Sequence, residues 1–282
     1  MAKVSVLGLG IIGSIWARHY RDDGHELSAW NRTPKPECPG FVSEVAAAVS
    51  GADLIHICVA DPKAVQSVLD EALPALQEGA LVIQSSTISP QSASSFSAQV
   101  AAVGAYLEAP FTGSKPAAEA RDVVFFLGGD DSVVERGLRF LKPISRKSFH
   151  VGRPEQAAAI KLSMNLQIAA VSQALTEGWH LARSYGLAHG TFYEVLRENV
   201  AHSGLSELKE PKLRADDDSP QFSVKHMGKD LRLALEAAEG LNLRLTEAGK
   251  KIYDDGIQNG LGEKDFIALE RLIPQPQSHA RD

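Results

Sequence analysis

The chain is poor in cysteine and has no long apolar run. Its two cysteines, Cys38 and Cys58, make neither a disulfide framework nor a metal-ligand spacing. No metal is expected, and a reducing compartment, the cytoplasm, is. No stretch approaches the roughly 20 apolar residues of a membrane span, so no membrane partner is expected. The apolar start Val4-Ser5-Val6-Leu7-Gly8 is too short and glycine-broken for a signal peptide, so none is expected. Internal repeats are absent, and the only biased tract is a serine-rich patch near Ser92 to Ser97. A large excess of one charge sign is also missing, with 29 Lys and Arg against 35 Asp and Glu. A net charge of -6 argues against a nucleic-acid partner. What remains is ordinary: 282 residues, 44% hydrophobic and 23% charged, enough for two globular domains with a large core.

Order begins at once. Lys3 to Leu7 predicts a short buried strand stopped by Gly8. Gly8-Leu9-Gly10-Ile11-Ile12-Gly13 follows, and Ile12, Ile15, Trp16 and His19 then recur at helical spacing up to Gly24. A strand, a glycine turn and a helix form the context in which G-x-G-x-x-G is informative. Gly8 permits the turn, Gly10 lets the backbone approach a pyrophosphate, and Gly13 lets the helix pack on the strand. The helix start offers free N–H groups to the anion. The competing reading is a glycine turn chosen only for packing.

The second strand, Glu26 to Trp30, ends in Asn31-Arg32-Thr33. A ribose-binding acid stands at this place in NAD sites, about 20 residues past the glycines. Here an arginine and two small hydrogen-bonding residues replace it. That set suits a 2′-phosphate, so NADP is expected over NAD; otherwise Arg32 is a solvated arginine in an ordinary loop. Further along, Val42 to Val49 predicts a short helix and Asp53 to Val59 the third strand. Ala60-Asp61-Pro62 opens the next helix, with Asp61 as cap. Ala80 to Gln84 is the fourth strand and runs into Ser85-Ser86-Thr87-Ile88-Ser89-Pro90. Those hydroxyls either border the nicotinamide or cap the helix that begins near Pro90.

Strands are expected at Ala105 to Ala109, Val123 to Leu127 and Lys147 to Val151, with a helix from Asp130 to about Phe140. This alternation predicts an α/β fold, a doubly wound, mostly parallel sheet of Rossmann type, over residues 1–153. Residues 154–282 read as an all-helical domain. It is entered through a long helix from Pro154 to about Tyr185, carrying Lys161 and Asn165 one turn apart on one face. Helices follow at Thr191 to Glu198, Phe222 to Ala238, Thr246 to Asp255 and Glu263 to Leu272. Ser203 to Asp218 reads as helix or loop, and a frayed tail is expected from Pro274. From the helix alone, Lys161 is as readily a solvated lysine as a catalytic one.

Four stretches, taken in order, resemble the β-hydroxyacid dehydrogenases, a family that includes 3-hydroxyisobutyrate, tartronate semialdehyde and 6-phosphogluconate dehydrogenases. They are Gly8 to Gly13, Glu108-Ala109-Pro110-Phe111-Thr112-Gly113-Ser114, Lys161-x-x-x-Asn165 and Lys229-Asp230-Leu231. The stretch from Glu108 to Pro116 looks most like the glyoxylate and succinic semialdehyde reductase branch. The resemblance implies that Lys161 is the general acid/base and that Asn165 orients the substrate or the lysine. Thr112, Gly113 and Ser114 would hold a substrate carboxylate. Gly8, Leu9, Gly10, Ile11, Ile12, Gly13, Asn31, Arg32, Thr33, Val59, Ala60, Thr87 and Lys229 would hold NADPH. A partly buried site draws an amine's pKa towards neutrality, which suits proton transfer. The partners implied are a small carboxylate substrate and a second or further copies of the chain, as a homodimer or homotetramer.

Three places depart from the family pattern. Thr112-Gly113-Ser114 stands where Ser-Gly-Gly is usual, Glu155 and Ala157 stand where glycines are usual, and Gln84-Ser85-Ser86-Thr87 stands where Asp-x-Ser-Thr is frequent. Imine reductases share the fold and the Trp-Asn-Arg-Thr stretch but typically lack the lysine, so Lys161 argues against that alternative. A non-catalytic NADP-binding protein is the other alternative. The intact Lys161 and Asn165 argue against it.

Overall fold

The computed structural model describes residues 1–274; the expected frayed tail lies outside the described residues. The chain divides into two compact units, Met1–Leu162 and Ser163–Asp282.

The first unit is a sheet of eight strands: β1 (Lys3–Leu7), β2 (Glu26–Trp30), β3 (Leu54–Ile57), β4 (Ala80–Gln84), β5 (Gly104–Glu108), β6 (Phe111–Thr112), β7 (Val123–Gly128) and β8 (Ser145–Gly152). The order is β2-β1-β3-β4-β5-β7-β6, with β8 on β7. β1 to β5 run parallel, β7 is antiparallel to β5 and β6, and β8 is parallel to β7. Side chains alternate across each strand, so both faces are apolar. Val4, Val6, Leu54, Leu81 and Ile83 join one cluster, with Ile15 and Trp16 of α1 (Ile11–Asp22) and Val134 and Leu141 of α6 (Asp131–Leu141). Leu7, Ile55, Ile57 and Val82 join the other cluster. It also holds buried residues of α2 (Val45–Val49), α3 (Pro62–Ala72) and α4 (Pro90–Val100). This is the expected doubly wound, mostly parallel architecture.

Local signals act where the sequence places them. Asp61 accepts the Ala64 N–H at 2.8 Å and Pro62 opens α3; Ser89 caps α4 by accepting the Ser92 N–H at 3.1 Å. Two expectations need correction. The helix expected over Val42–Val49 begins only at Val45, because Phe41 bridges to Ala29 and Val42 N–H donates to the Ala29 carbonyl. The chain there is still extended. The third strand stops at Ile57, and Asp53 instead accepts the Lys3 backbone N–H at 2.8 Å. The short α5 (Lys115–Glu119) follows β6.

The long helix α7 (Pro154–Ser184) begins in the first unit and continues into the second. The second unit adds α8 (His189–Arg197), α9 (Gly204–Ala215), α10 (Val224–Ala237) and α11 (Arg244–Gln258). The helix expected over Glu263–Leu272 is a 3-10 helix, Phe266–Leu272. The Ser203 to Asp218 stretch is helical as far as Ala215, opened by a reciprocal Ser203–Ser206 capping box and containing Pro211. Ala169, Val224, Met227, Leu231, Tyr253, Phe266 and Leu269 form its core.

One buried ion pair ties this unit together. Lys209 Nζ lies 2.7 Å from Asp265 Oδ1, and both side chains are buried. The same ammonium donates to Gln221 Oε1 at 3.0 Å and lies 4.3 Å from the Phe266 ring centroid. Asp265 also accepts the Gln221 and Phe222 backbone N–H groups at 2.9 and 3.2 Å. Removing one partner strands a buried charge. Asp265→Ala should therefore cost about 3–5 kcal/mol in urea unfolding. Glu263→Ala, which breaks the exposed Lys225–Glu263 pair, should cost under about 1 kcal/mol. Equal losses in the two variants would contradict this reading.

Candidate active site

The ends of β1, β3, β4 and β5 lie along one edge of the parallel sheet. The chain moves from β1 to β2 on one side and then to β3 on the other, so the order reverses between β1 and β3. Ligands of open α/β sheets bind at that reversal, beyond the carboxyl ends of the strands.

The glycine turn sits there. Gly8 has φ +107, and a Cβ on it would lie 2.2 Å from the Cys58 carbonyl oxygen at the end of β3. A Cβ on Gly13 would lie 1.8 Å from the Gly8 carbonyl oxygen. Packing alone therefore demands glycine at both positions. Gly10 is different. Its backbone is ordinary, φ -70 and ψ -164, and among the described residues no atom lies within 4 Å of a Cβ built there. Neither strain nor the protein's interior calls for glycine at 10, and the missing methyl leaves room for something approaching from outside. Gly10 is the N-cap of α1 and supplies no side chain to its N–H groups. Free N–H groups at a helix start are of the kind that a dinucleotide pyrophosphate accepts from.

The loop after β2 is pinned to the turn. Asn31 Oδ1 accepts the Leu9 N–H at 2.8 Å, and its Nδ2 donates to the Thr33 carbonyl at 2.8 Å. Arg32 and Thr33 are exposed beside it. Lys35, to which the sequence reading gave no role, donates to the Leu9 carbonyl at 2.6 Å. A second cation thus stands at the turn. Its only sequence signal was a lysine four residues past Asn31 in a proline-rich loop.

The hydroxyls after β4 divide their tasks. Ser85 Oγ donates to the Ala109 carbonyl at 2.7 Å and meets His56 Nε2 at 2.9 Å. Burial pushes the His56 imidazole down to about 3, so it stays neutral inside the sheet. Ser86 Oγ accepts the Val59 N–H at 2.8 Å, joining the ends of β3 and β4. Thr87 and Val59 are half-buried and Ala60 is exposed.

Past β5, Gly113 has φ +121 between Thr112 and Ser114, which bends the chain sharply before α5. Phe111 packs edge-on to Trp16, and Lys161 Nζ stands 5.8 Å from its ring centroid. The half-buried Lys161 is thereby beside the start of the Thr112-Gly113-Ser114 stretch. Glu155, in place of a usual glycine, pairs with Arg153 at 2.7 Å, and Ala157 is buried. In the second unit, Asn165 and Lys229 meet through Asp230, which is buried. Asn165 Nδ2 donates to Asp230 Oδ2 at 2.5 Å and Lys229 Nζ lies 2.9 Å from Asp230 Oδ1. Asp230 was part of a quoted motif, yet nothing in the sequence alone assigned it this bridging task.

Residues 3–152 match the family profile of the NAD binding domain of 6-phosphogluconate dehydrogenase, and residues 156–273 match the NAD-binding profile of NADP-dependent 3-hydroxyisobutyrate dehydrogenase. The chain belongs to the β-hydroxyacid dehydrogenase family. It is 29% identical to the chloroplastic glyoxylate/succinic semialdehyde reductase 2 of Arabidopsis thaliana, over 98% of this chain and 80% of that protein. The solved 3-hydroxyisobutyrate dehydrogenase of Mycobacterium tuberculosis, with L-serine, superposes with a TM-score of 0.87 at 25% identity, covering 97% of this chain and 99% of that one. An imine reductase from Pseudomonas sp. superposes with a TM-score of 0.64 at 21% identity, over 97% of this chain and 99% of that one. This β-hydroxyacid dehydrogenase is therefore an NAD(P)-dependent enzyme, and no helix among its described residues is long and apolar enough to cross a membrane.

The Gly10 argument has a direct check. Gly10→Ala should destabilise the chain by no more than about 1 kcal/mol, the usual loss at a helix N-cap. Its dinucleotide Kd, measured by fluorescence titration, should rise about tenfold or more. A Gly13→Ala chain should be far less stable. An unchanged Kd in Gly10→Ala would return the turn to packing alone.

Proposed function

We propose that this enzyme is an NADPH-linked reductase of small aldehyde acids of the glyoxylate and succinic semialdehyde class, with Lys161 as its proton donor. The observation that carries the reading is the Lys161 ammonium 5.8 Å from the Phe111 ring, next to the stretch assigned to the substrate carboxylate. The bound nicotinamide supplies the hydride. As the carbonyl carbon accepts it, the C=O pair moves to oxygen and Lys161 gives that oxygen its proton; in the oxidative direction Lys161 takes the hydroxyl proton. Thr112, Gly113 and Ser114 hold the carboxylate through N–H and hydroxyl donors. Asp230 orients the Asn165 amide and pairs with Lys229; by the family resemblance Asn165 would position the lysine or the substrate and Lys229 would bind the cofactor.

The cofactor reading rests on the loop after β2. Arg32 is exposed, forms no ion pair among the described residues, and stands three residues before Lys35, which is held on the Leu9 carbonyl. Two cations and no acid at this place favour the 2′-phosphate of NADP. Thr87, Val59 and Ala60 complete the cofactor wall. Residues 1–153 then hold most of the cofactor and the substrate carboxylate, and residues 154–282 supply Lys161, Asn165 and Lys229 and serve assembly. Exposed Leu181, Tyr185, Leu187 and Val195 support a homodimer or homotetramer. Free Cys38 and Cys58 suit the cytoplasm.

Two substitutions separate the parts of this reading. Lys161→Ala should lower kcat with glyoxylate or succinic semialdehyde by about two orders of magnitude or more, with NADPH binding kept. Turnover at the wild-type level would sink the assignment. Arg32→Ala should raise the NADPH Kd about tenfold while moving the NADH Kd under about twofold. Equal losses for both would mean that the loop does not read the phosphate.

A further inference from the structure

Glu108 opens the substrate stretch, yet neither the hydride step nor the carboxylate site uses its side chain. It is fully buried at the end of β5. Gln84 Nε2 donates to its Oε1 at 2.9 Å, and Tyr106 Oη donates to its Oε2 at 2.5 Å. The Gln84 amide also grips the next turn with both of its ends. Its Oε1 accepts the Ser86 N–H at 2.5 Å and its Nε2 donates to the Ser86 carbonyl at 3.0 Å. Ser86 Oγ in turn accepts the Val59 N–H. A continuous line of hydrogen bonds therefore runs from Glu108 through Gln84 and Ser86 to the end of β3.

The orientation of Gln84 is the weak point of that line. A flipped amide would place an N–H against the Ser86 N–H and an oxygen against its carbonyl. Glu108 opposes the flip, because its Oε1 accepts from Gln84 both when the group is ionised and when its proton sits on Oε2, the oxygen shared with Tyr106 Oη. We propose that Glu108 is a positioning residue that locks the Gln84 amide and so sets Ser86, Thr87 and Val59 as the nicotinamide-side wall of the cofactor site. The proposal rests on the reading that these residues line the cofactor.

Burial raises the Glu108 carboxyl to about 8, so the group is mostly protonated at neutral pH. Among the described residues the titratable group bonded to it is Tyr106 on its own strand, which burial raises well above its usual value. Gln84 on β4 does not titrate, and His56 on β3, reached through Ser85, stays neutral. As pH rises through about 8, Glu108 gains a negative charge near an anionic cofactor, and cofactor affinity should fall.

The test uses the full chain with NADPH and NADH as probes. Glu108→Ala should raise the cofactor Kd about tenfold, with the glyoxylate KM at saturating cofactor moving under about twofold. Glu108→Gln still accepts from Gln84, so it should bind cofactor within about threefold of wild type, and its Kd should be flat between about pH 7 and 9 where the wild-type Kd rises. Gln84→Ala should match Glu108→Ala, and the double variant should be no weaker than the worse single one. Should Glu108→Ala not fold, the Gln84→Ala loss and the flat Glu108→Gln profile decide the matter. Additive losses, or a folded Glu108→Ala chain with wild-type Kd, overturn the proposal. A wild-type chain that binds neither dinucleotide overturns the functional reading and this proposal with it.

Discussion

The architecture of the first unit turns on a contact between three backbones. The Gly8 turn lies against the Cys58 carbonyl, and α1 lies against the Gly8 carbonyl at Gly13, each too close for a methyl group. That double contact fixes where α1 starts and where it points. It also seats the helix start at the place where the strand order reverses between β1 and β3. The first N–H groups of α1 have no capping side chain, and a helix start of that kind stabilises an anion. The three glycines of one motif differ: packing requires two of them, and the third, Gly10, stands in open space.

Side chains around the turn stabilise the backbone that meets the ligand. Asn31 holds the Leu9 N–H, Lys35 holds the Leu9 carbonyl and Ser86 holds the Val59 N–H. Each such bond is worth about 1 kcal/mol net, but each also takes away an alternative loop conformation. Fewer loop conformations then have to be given up on binding, which lowers its ordering cost. Ion pairing in the second unit follows the same logic at larger scale. Asp265 satisfies one ammonium and three backbone N–H groups at once, which is why a charge can be buried there.

Much of this was legible in the sequence, for physical reasons. β1 and the turn were readable because apolar run, glycine spacing and helical period coincide within twenty residues or so. Asp61 was readable because a cap followed by proline is a local signal, whereas the serines before Pro90 left a cap and a nicotinamide contact open until Ser89 was seen to cap α4. The long α7 was readable from its period. The helix over Val42–Val49 was overread because Phe41 and Val42 pair with Ala29, a contact no local window contains. The two-residue β6 was missed because its partner, β7, comes ten residues later. Lys161 stood out as a polar residue in an alanine-rich run, whereas Lys35 and Asp230 look like ordinary surface charges until their partners are seen. Gln84 stood out only as a departure from the family pattern; its reason, a donor owed to Glu108, is a cross-strand contact. Local chemistry is written in the sequence, and pairwise satisfaction of buried polar groups is not.

Delivery of a hydride from this cradle to a small aldehyde acid can be followed with NADPH labelled with deuterium at the transferable C4 position, with glyoxylate and succinic semialdehyde as acceptors and mass spectrometry of the hydroxy acid formed. One deuterium is expected on the carbinol carbon of the product, and none when the chain is omitted. Tight NADPH binding with no label passing to either acid would contradict it.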